Sequence, residues 1–301
     1  MIAAVIGIGS NSVRMLLAEI EGGRMNRLSR EREGTRLFAG LDAQKRLSAE
    51  AMEKSIAAVK RMADAAREAN AERIHLFATS ATRDAANQAE FARRLLEETG
   101  LTLEIASGEE EAALSFYGAT DGGDSGVIDI GGGSTEIIVG TGMKVRCAFS
   151  CQMGAVRLAG RLPLRDHGDL PYVQAMAEEI LREQLRTHPS LRLPQAWRGT
   201  GGTFTTLAAI VRGVHWTERT HMHGTVITRG DVERTARILA DMTVEERRAL
   251  PGLQPTRADI IVHGICILLA CMEVLGIAQI TVSEYGNLDG YMKHVYCPGE
   301  R

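Results

Sequence analysis

Three short glycine-rich segments carry the residue types that grip phosphate. Gly9, Ser10, Asn11 and Ser12 form the first, Gly131, Gly132, Gly133, Ser134 and Thr135 the second, and Gly201, Gly202 and Thr203 the third. Glycine allows backbone N–H groups to converge on an anion with no Cβ in the way, and Ser or Thr adds a hydroxyl donor. One glycine turn is usually only a turn; three of them, two alike, point to phosphate chemistry.

Carboxylates stand beside these segments. Asp129 enters the second loop and Glu136 leaves it, so both are candidates to hold Mg²⁺, or another divalent cation, directly or through water. An acid inside the apolar run V-I-D-I is costly unless it has a task. Phosphoryl transfer to water also needs a positioned nucleophile. For its base, the residues themselves leave the choice open. Glu109, Glu110 and Glu111 follow Ser107 and Gly108 and precede the apolar residues 112–117. An acidic first turn favoured by the helix macrodipole accounts for that run equally well.

The elements that must position these residues are legible in outline. Residues 2–8 are apolar and β-branched, 9–12 are turn residues, and 13–20 resume the apolar pattern, which predicts two strands joined by a tight loop. Residues 48–70 read as a helix, with Ser48 as N-cap and Met52, Ile56, Val59 and Met62 at helical spacing. A strand is expected at 73–79 and a helix at 88–99, closed by Gly100. Further on, 232–242 and 260–275 read as helices and 279–282 as a strand. The third loop precedes the apolar run 207–211, and a loop opening a helix is an anion-binding arrangement.

The opening theme returns once. Residues 127–136, V-I-D-I-G-G-G-S-T-E, lie over residues 5–14, V-I-G-I-G-S-N-S-V-R, at an offset of 122. Identities fall at Val5/Val127, Ile6/Ile128, Ile8/Ile130, Gly9/Gly131 and Ser12/Ser134, in the loop as well as in the apolar positions. This implies a duplication, with two similar α/β domains facing an interdomain cleft. The expected domains are residues 1–121, completed by the C-terminal segment 285–301, and residues 122–284. Gly122 and Gly123 stand as a hinge.

Size and composition fit that division. A chain of 301 residues suits two domains of about 150 each. The net charge of -3 argues against general nucleic-acid binding. Arginine makes up 30 of the 35 basic residues, which suits a polyanion site but also follows from a GC-rich genome. The longest apolar stretch, 260–278, contains His263 and Glu273 and reads as a buried core helix, not a membrane span. The N-terminus shows no charged leader, and five cysteines without C-x-x-C spacing suggest reduced thiols, so a cytoplasmic location is expected. His221 and His223 lack further ligands at recognisable spacing, so no zinc site is expected.

Together these motifs resemble the exopolyphosphatase/guanosine pentaphosphate phosphatase family, of the wider actin/hexokinase/Hsp70 superfamily. The resemblance runs from about Ala4 to Gly290. Besides the three loops it includes A-T-S-A-T-R-D-A at 78–85, S-G-E-E-E-A at 107–112, G-A-V-R-L at 154–158 and R-A-D-I-I at 257–261. It implies two duplicated ribonuclease H-like domains in the short form of the family, often a homodimer. It further implies that Glu111 is the general base, that Asp129 and Glu136 serve Mg²⁺ and the water network, and that Arg14, Arg83 and Arg257 contact substrate phosphates. The implied reaction releases terminal orthophosphate from inorganic polyphosphate, guanosine pentaphosphate or both.

Two departures stand where the chemistry is expected. The family's first loop begins I-D-x-G-S-N-S, whereas this chain has Gly7 at the acid, opposite Asp129 in the repeat. Where the family tends to S-x-R-G-L-R-x-G, this chain has S-E-Y-G-N-L-D-G, with Tyr285 and Leu288 in place of arginines. The alternative reading is therefore a catalytically weakened protein that binds polyphosphate or an alarmone. A kinase of the same superfamily fits the loops but leaves S-G-E-E-E-A unexplained.

Overall fold

A computed structural model of the chain describes residues 1–120, 122–218 and 221–297. The chain divides into two compact units: Met1–Gly118 with the C-terminal stretch from Asn287, and Ala119–Gly286. Sequence reading placed the divisions at 121 and 284; Asp121 and residues 298–301 lie outside the described residues.

In the first unit, β1 (Ile2–Ile8), β2 (Val13–Glu21), β3 (Arg24–Glu33), β4 (Arg73–Ala78) and β5 (Leu103–Ile105) make a mixed sheet of order β3-β2-β1-β4-β5. β1 is central and apolar on both faces, as a strand covered on both sides must be. Ala4, Ile6 and Ile8, with Val13, Met15 and Leu17 of β2, face α1 (Ala49–Glu68) and α3 (Gln88–Thr99). Ala3, Val5, Leu16 and Ala18 face α11 (Asn287–Tyr296) through Leu288 and Met292. Ser48 caps α1 by accepting the Ala51 N–H at 3.2 Å, and α3 stops at Gly100, whose φ of 71° closes the helix.

The second unit repeats the plan. Its strands β6 (Asp124–Ile130), β7 (Thr135–Thr141), β8 (Lys144–Cys151), β9 (Ala196–Thr200), β10 (Val226–Thr228) and β11 (Gln279–Val282) run in the order β10-β11-β9-β6-β7-β8. Read from β8 to β11, this is the first unit's order again, so a repeat visible over ten residues extends to whole sheets. Even the irregularity is copied. The β2–β3 pairing shifts register between Leu17 and Ala18, and the β7–β8 pairing between Val139 and Gly140, again 122 residues apart.

α6 (Leu170–Arg186) and α10 (Ile261–Leu275) cover one face of that sheet. α10 is buried along most of its length, and among the described residues no helix is long and apolar enough to cross a membrane. α8 (Arg229–Ala240) starts before residue 232 because Thr228 and Asp231 form a reciprocal capping box. Among the described residues no disulfide forms; Cys147 and Cys151 lie in β8.

β3 and α6 were not foreseen. β3 reads R-M-N-R-L-S-R-E-R-E, and an edge strand half open to solvent carries no period-two apolar signal.

Candidate active site

The first loop joins β1 to β2. The Gly9 N–H donates to the Ser12 carbonyl at 3.0 Å, which closes the turn. The Ser10 and Ser80 hydroxyls share a hydrogen bond of 2.8 Å, tying the loop to α2 (Ser80–Arg83). Asn11 is 7% exposed, and its amide nitrogen and oxygen are both buried without a protein partner. An orphaned amide is costly unless a ligand or water completes it. Arg14 leaves the loop on β2, and its Nη2 donates to Asn287 Oδ1 at 3.1 Å.

The same unit places Glu111 in the first turn of α4 (Gly108–Ala119). The acidic triplet divides by task. The Glu110 N–H donates to Ser107 Oγ at 3.1 Å and its carboxylate accepts the Ser107 N–H at 2.8 Å, so Glu110 closes a capping box. The Ser107 backbone N–H is the main reason the Glu110 carboxyl lies below its ordinary value. Glu109 is exposed, whereas Glu111 is buried at 7% and accepts from Arg83 Nη1 at 3.2 Å. Arg83 is itself fixed by a 2.7 Å bond from Nη1 to the Ala106 carbonyl. The local capping requirement and the buried acid are thus met by different members of one run.

In the second unit the Gly131 N–H donates to the Ser134 carbonyl at 3.0 Å, the same turn as in the first loop. Asp129 and Glu136 are direct cross-strand partners in the β6–β7 ladder, so both carboxylates lie on one face at the mouth of the loop. Glu136 is 1% exposed and accepts from Ser150 Oγ at 2.7 Å. Gly201, at φ 96°, opens α7 (Gly202–Arg212); a Cβ there would stand 2.9 Å from Asp129 Oδ1, so the carboxylate lies against the third loop. A Cβ on Gly202 would collide with the Arg257 guanidinium, which occupies that space instead. Asp129, the third loop and Arg257 therefore converge within this unit.

Some hydroxyls named from sequence are engaged elsewhere. Thr135 Oγ1 donates to the Met153 carbonyl at 2.6 Å, and the buried Thr203 side chain packs on Gly264 of α10. Arg157 has a role that the sequence reading did not give it: its Nε donates to the Gly133 carbonyl at 2.5 Å and holds the second loop from α5 (Ala155–Arg161). The motif G-A-V-R-L contained that signal. Ser80, Asn287 and Arg32 were given no role, although Ser80 lies in the segment 78–85 and Asn287 in S-E-Y-G-N-L-D-G.

Among the described residues no group of three or more His, Cys, Asp and Glu side chains is placed to hold a metal. The pair Asp129 and Glu136 still fits Mg²⁺, which takes one or two carboxylates and fills its remaining positions with water and substrate phosphate. The duplicated rows are opposite in charge. The row across β6, β7 and β8 at the loop is Asp129, Glu136 and Ser150, while the equivalent row across β1, β2 and β3 is Gly7, Arg14 and Arg32. One row is acidic and the other basic.

Comparison with known proteins agrees with this chemistry. The chain matches the model of the Ppx/GppA phosphatase family over residues 16–294. It is 35% identical to Exopolyphosphatase 2 of Mycobacterium tuberculosis, over 95% of this chain and 96% of the relative. The solved structure of an Aquifex aeolicus PPX-GPPA enzyme superposes with a TM-score of 0.82 at 30% identity, covering 98% of this chain and 99% of that one. An exopolyphosphatase from Cytophaga hutchinsonii gives a TM-score of 0.87 at 26% identity, covering 97% of each chain. The two-sheet α/β architecture is that of the actin/hexokinase-like fold. With the family model matched over residues 16–294 and a relative 35% identical over nearly its whole length, the chain belongs to the Ppx/GppA phosphatase family.

Proposed function

We infer that this protein is a Mg²⁺-dependent phosphohydrolase that removes terminal phosphates from inorganic polyphosphate. The observation that carries the reading is the division of charge between the duplicated rows, Asp129 and Glu136 in one unit and Arg14 and Arg32 in the other. Similarity to a relative named Exopolyphosphatase 2 supports inorganic polyphosphate as the substrate.

The residues divide the work. The backbone of the first loop, the Asn11 amide and Arg14 hold phosphate oxygens, with the third loop and Arg257 serving the same task in the second unit. Asp129 and Glu136 would hold Mg²⁺, which when bound neutralises charge on the phosphoryl oxygens. Glu111, oriented by Arg83, takes a proton from the attacking water. The new P–O bond forms to that water, the bond from the terminal phosphorus to the bridging oxygen breaks, and orthophosphate and a shortened chain leave.

Orthophosphate release from long-chain polyphosphate and from guanosine pentaphosphate, with Mg²⁺, tests the reading and ranks the substrates. Glu111→Gln is expected to lose about 10²–10⁴ in kcat while keeping its melting temperature. Normal turnover by that variant sinks the assignment of the base. A second reading, binding without turnover, rests on one observation. A Cβ on Gly7 would stand 3.0 Å from Leu288 Cδ2 and 3.3 Å from Phe77 Cζ, so apolar carbon fills the place of a first-loop acid. Saturable binding with no orthophosphate release would establish it.

A further inference from the structure

β3 is the edge strand of the first sheet, and its arginines are sorted by a bulge. In a regular strand Arg27 would share a face with Ser29, Glu31 and Glu33, opposite Arg30 and Arg32. The ladder instead pairs Ala18 with Arg27 and Leu17 with Ser29, passing over Leu28. Beyond the shift, Arg30 stands across from Leu16 and Arg32 across from Arg14. Arg27, Arg30, Arg32 and Arg14 therefore share one face, the face that α11 covers beside β2. Glu31 and Glu33 go to the other face, where Glu33 accepts from Arg61 of α1 at 2.5 Å. The bulge separates the charges of a mixed strand by sign.

The row is also braced. Arg27 Nε donates to Asp289 Oδ1 at 2.8 Å, and Arg30 Nη2 donates to the same oxygen. The Asp289 side chain is 3% exposed, whereas those of Arg27 and Arg30 are 29% and 23% exposed. Arg32 Nε donates to Ser12 Oγ at 3.2 Å, which joins the row to the first loop. A guanidinium carries five donors in a planar fork that matches carboxylate and phosphate alike. Charged residues and bulges also guard edge strands against pairing, but that calls for no buried carboxylate beneath the row. The second unit supplies the control. It has the same register shift, and its positions equivalent to Arg27, Arg30 and Arg32 are Val145, Ala148 and Ser150.

We propose that this row is a polyanion track leading away from the first loop. Arg14 and Arg32 receive the phosphates next to the one held in the loop. Arg30, about 7 Å farther along the strand, receives phosphates deeper in the chain. Asp289 is the positioning residue that sets Arg27 and Arg30. The track rests on the reading of the protein as a polyphosphate hydrolase and predicts a preference for long chains.

The test is equilibrium binding of long-chain polyphosphate and of tripolyphosphate in the Glu111→Gln background, where turnover does not interfere. Arg30→Gln is expected to raise Kd for the long chain about tenfold and for tripolyphosphate less than about threefold, and Arg30→Lys should fall between parent and Gln. Melting temperature identifies any variant that is merely misfolded, for which the lysine variant decides. Equal affinities in parent and variants, or an equal loss for both ligands, overturn the track. Failure to bind polyphosphate at all overturns the track and the hydrolase reading together. Loss of orthophosphate release from the natural protein, with the affinity contrast intact, overturns only the hydrolase reading.

Discussion

Replacing Gly7 by aspartate restores the acid that the family carries at the first loop, and the structure predicts that the protein will not accept it alone. Gly7 is buried in β1, and a Cβ there meets Leu288 Cδ2 at 3.0 Å and Phe77 Cζ at 3.3 Å. A methyl group displaces only the end of a flexible leucine, so Gly7→Ala should cost no more than the low end of overpacking, about 1 kcal/mol. The carboxylate reaches farther into apolar carbon, and overpacking costs about 1–3 kcal/mol. Arg14 is the direct cross-strand partner of Gly7, and an opposite-charge pair at those positions returns about 0.2–1 kcal/mol. The net expectation for Gly7→Asp is a loss of about 1–2 kcal/mol, or about 2–8 °C in Tm. Thermal unfolding followed by circular dichroism measures it, in the natural protein and in Leu288→Ala. Removing Leu288 Cδ2 should reduce the cost of the added carboxylate by about 1 kcal/mol, a coupling expected of touching residues. Turnover should not rise, because the added carboxylate draws Arg14 away from phosphate. An unchanged Tm in Gly7→Asp, or the same loss in both backgrounds, refutes the packing argument.

Two further outcomes follow from the site's supports. Ser107→Ala removes the acceptor of the Glu110 N–H at the start of α4 and should cost about 0.5–2 kcal/mol, read as a lower Tm. Burial, aided by the nearby Arg247, depresses the His263 imidazole below its ordinary value, against the opposing pull of the Leu162 carbonyl and Asp259. The unfolded chain therefore takes up a proton near pH 6.5 that the folded chain refuses, so stability is complete above that pH and declines as pH falls. His263→Gln, whose amide can still donate to the Leu162 carbonyl, should flatten the fall in Tm between about pH 7 and pH 5. Identical slopes in the two proteins would refute it.

Much of the site's outline was legible because it depends on contiguous residues. The two loops, their flanking strands and the third loop at a helix start are short-range features, and the offset of 122 exposed the duplication. The helix at Gln88–Thr99 was legible to the residue because Gly100 ends it chemically. The acid triplet was legible as a helix start, but its sorting was not. Burial of Glu111 and its bond to Arg83 depend on how α4 meets α2, a contact across 28 residues.

Sequence by itself determined the residue types, the repeat and the local turns, since backbone conformation at Gly9–Ser12 or capping at Ser48 depends on neighbours along the chain. Tertiary structure decided which of those residues meet. The register of β6 with β7 brought Asp129 beside Glu136, and α11 brought Asp289 to Arg27 and Arg30 across more than 250 positions. The bulge at Leu28 decided which charges of β3 share a face, because a one-residue shift exchanges the two faces of a strand. No local pattern records such a shift; it is chosen by the packing of the sheet as a whole.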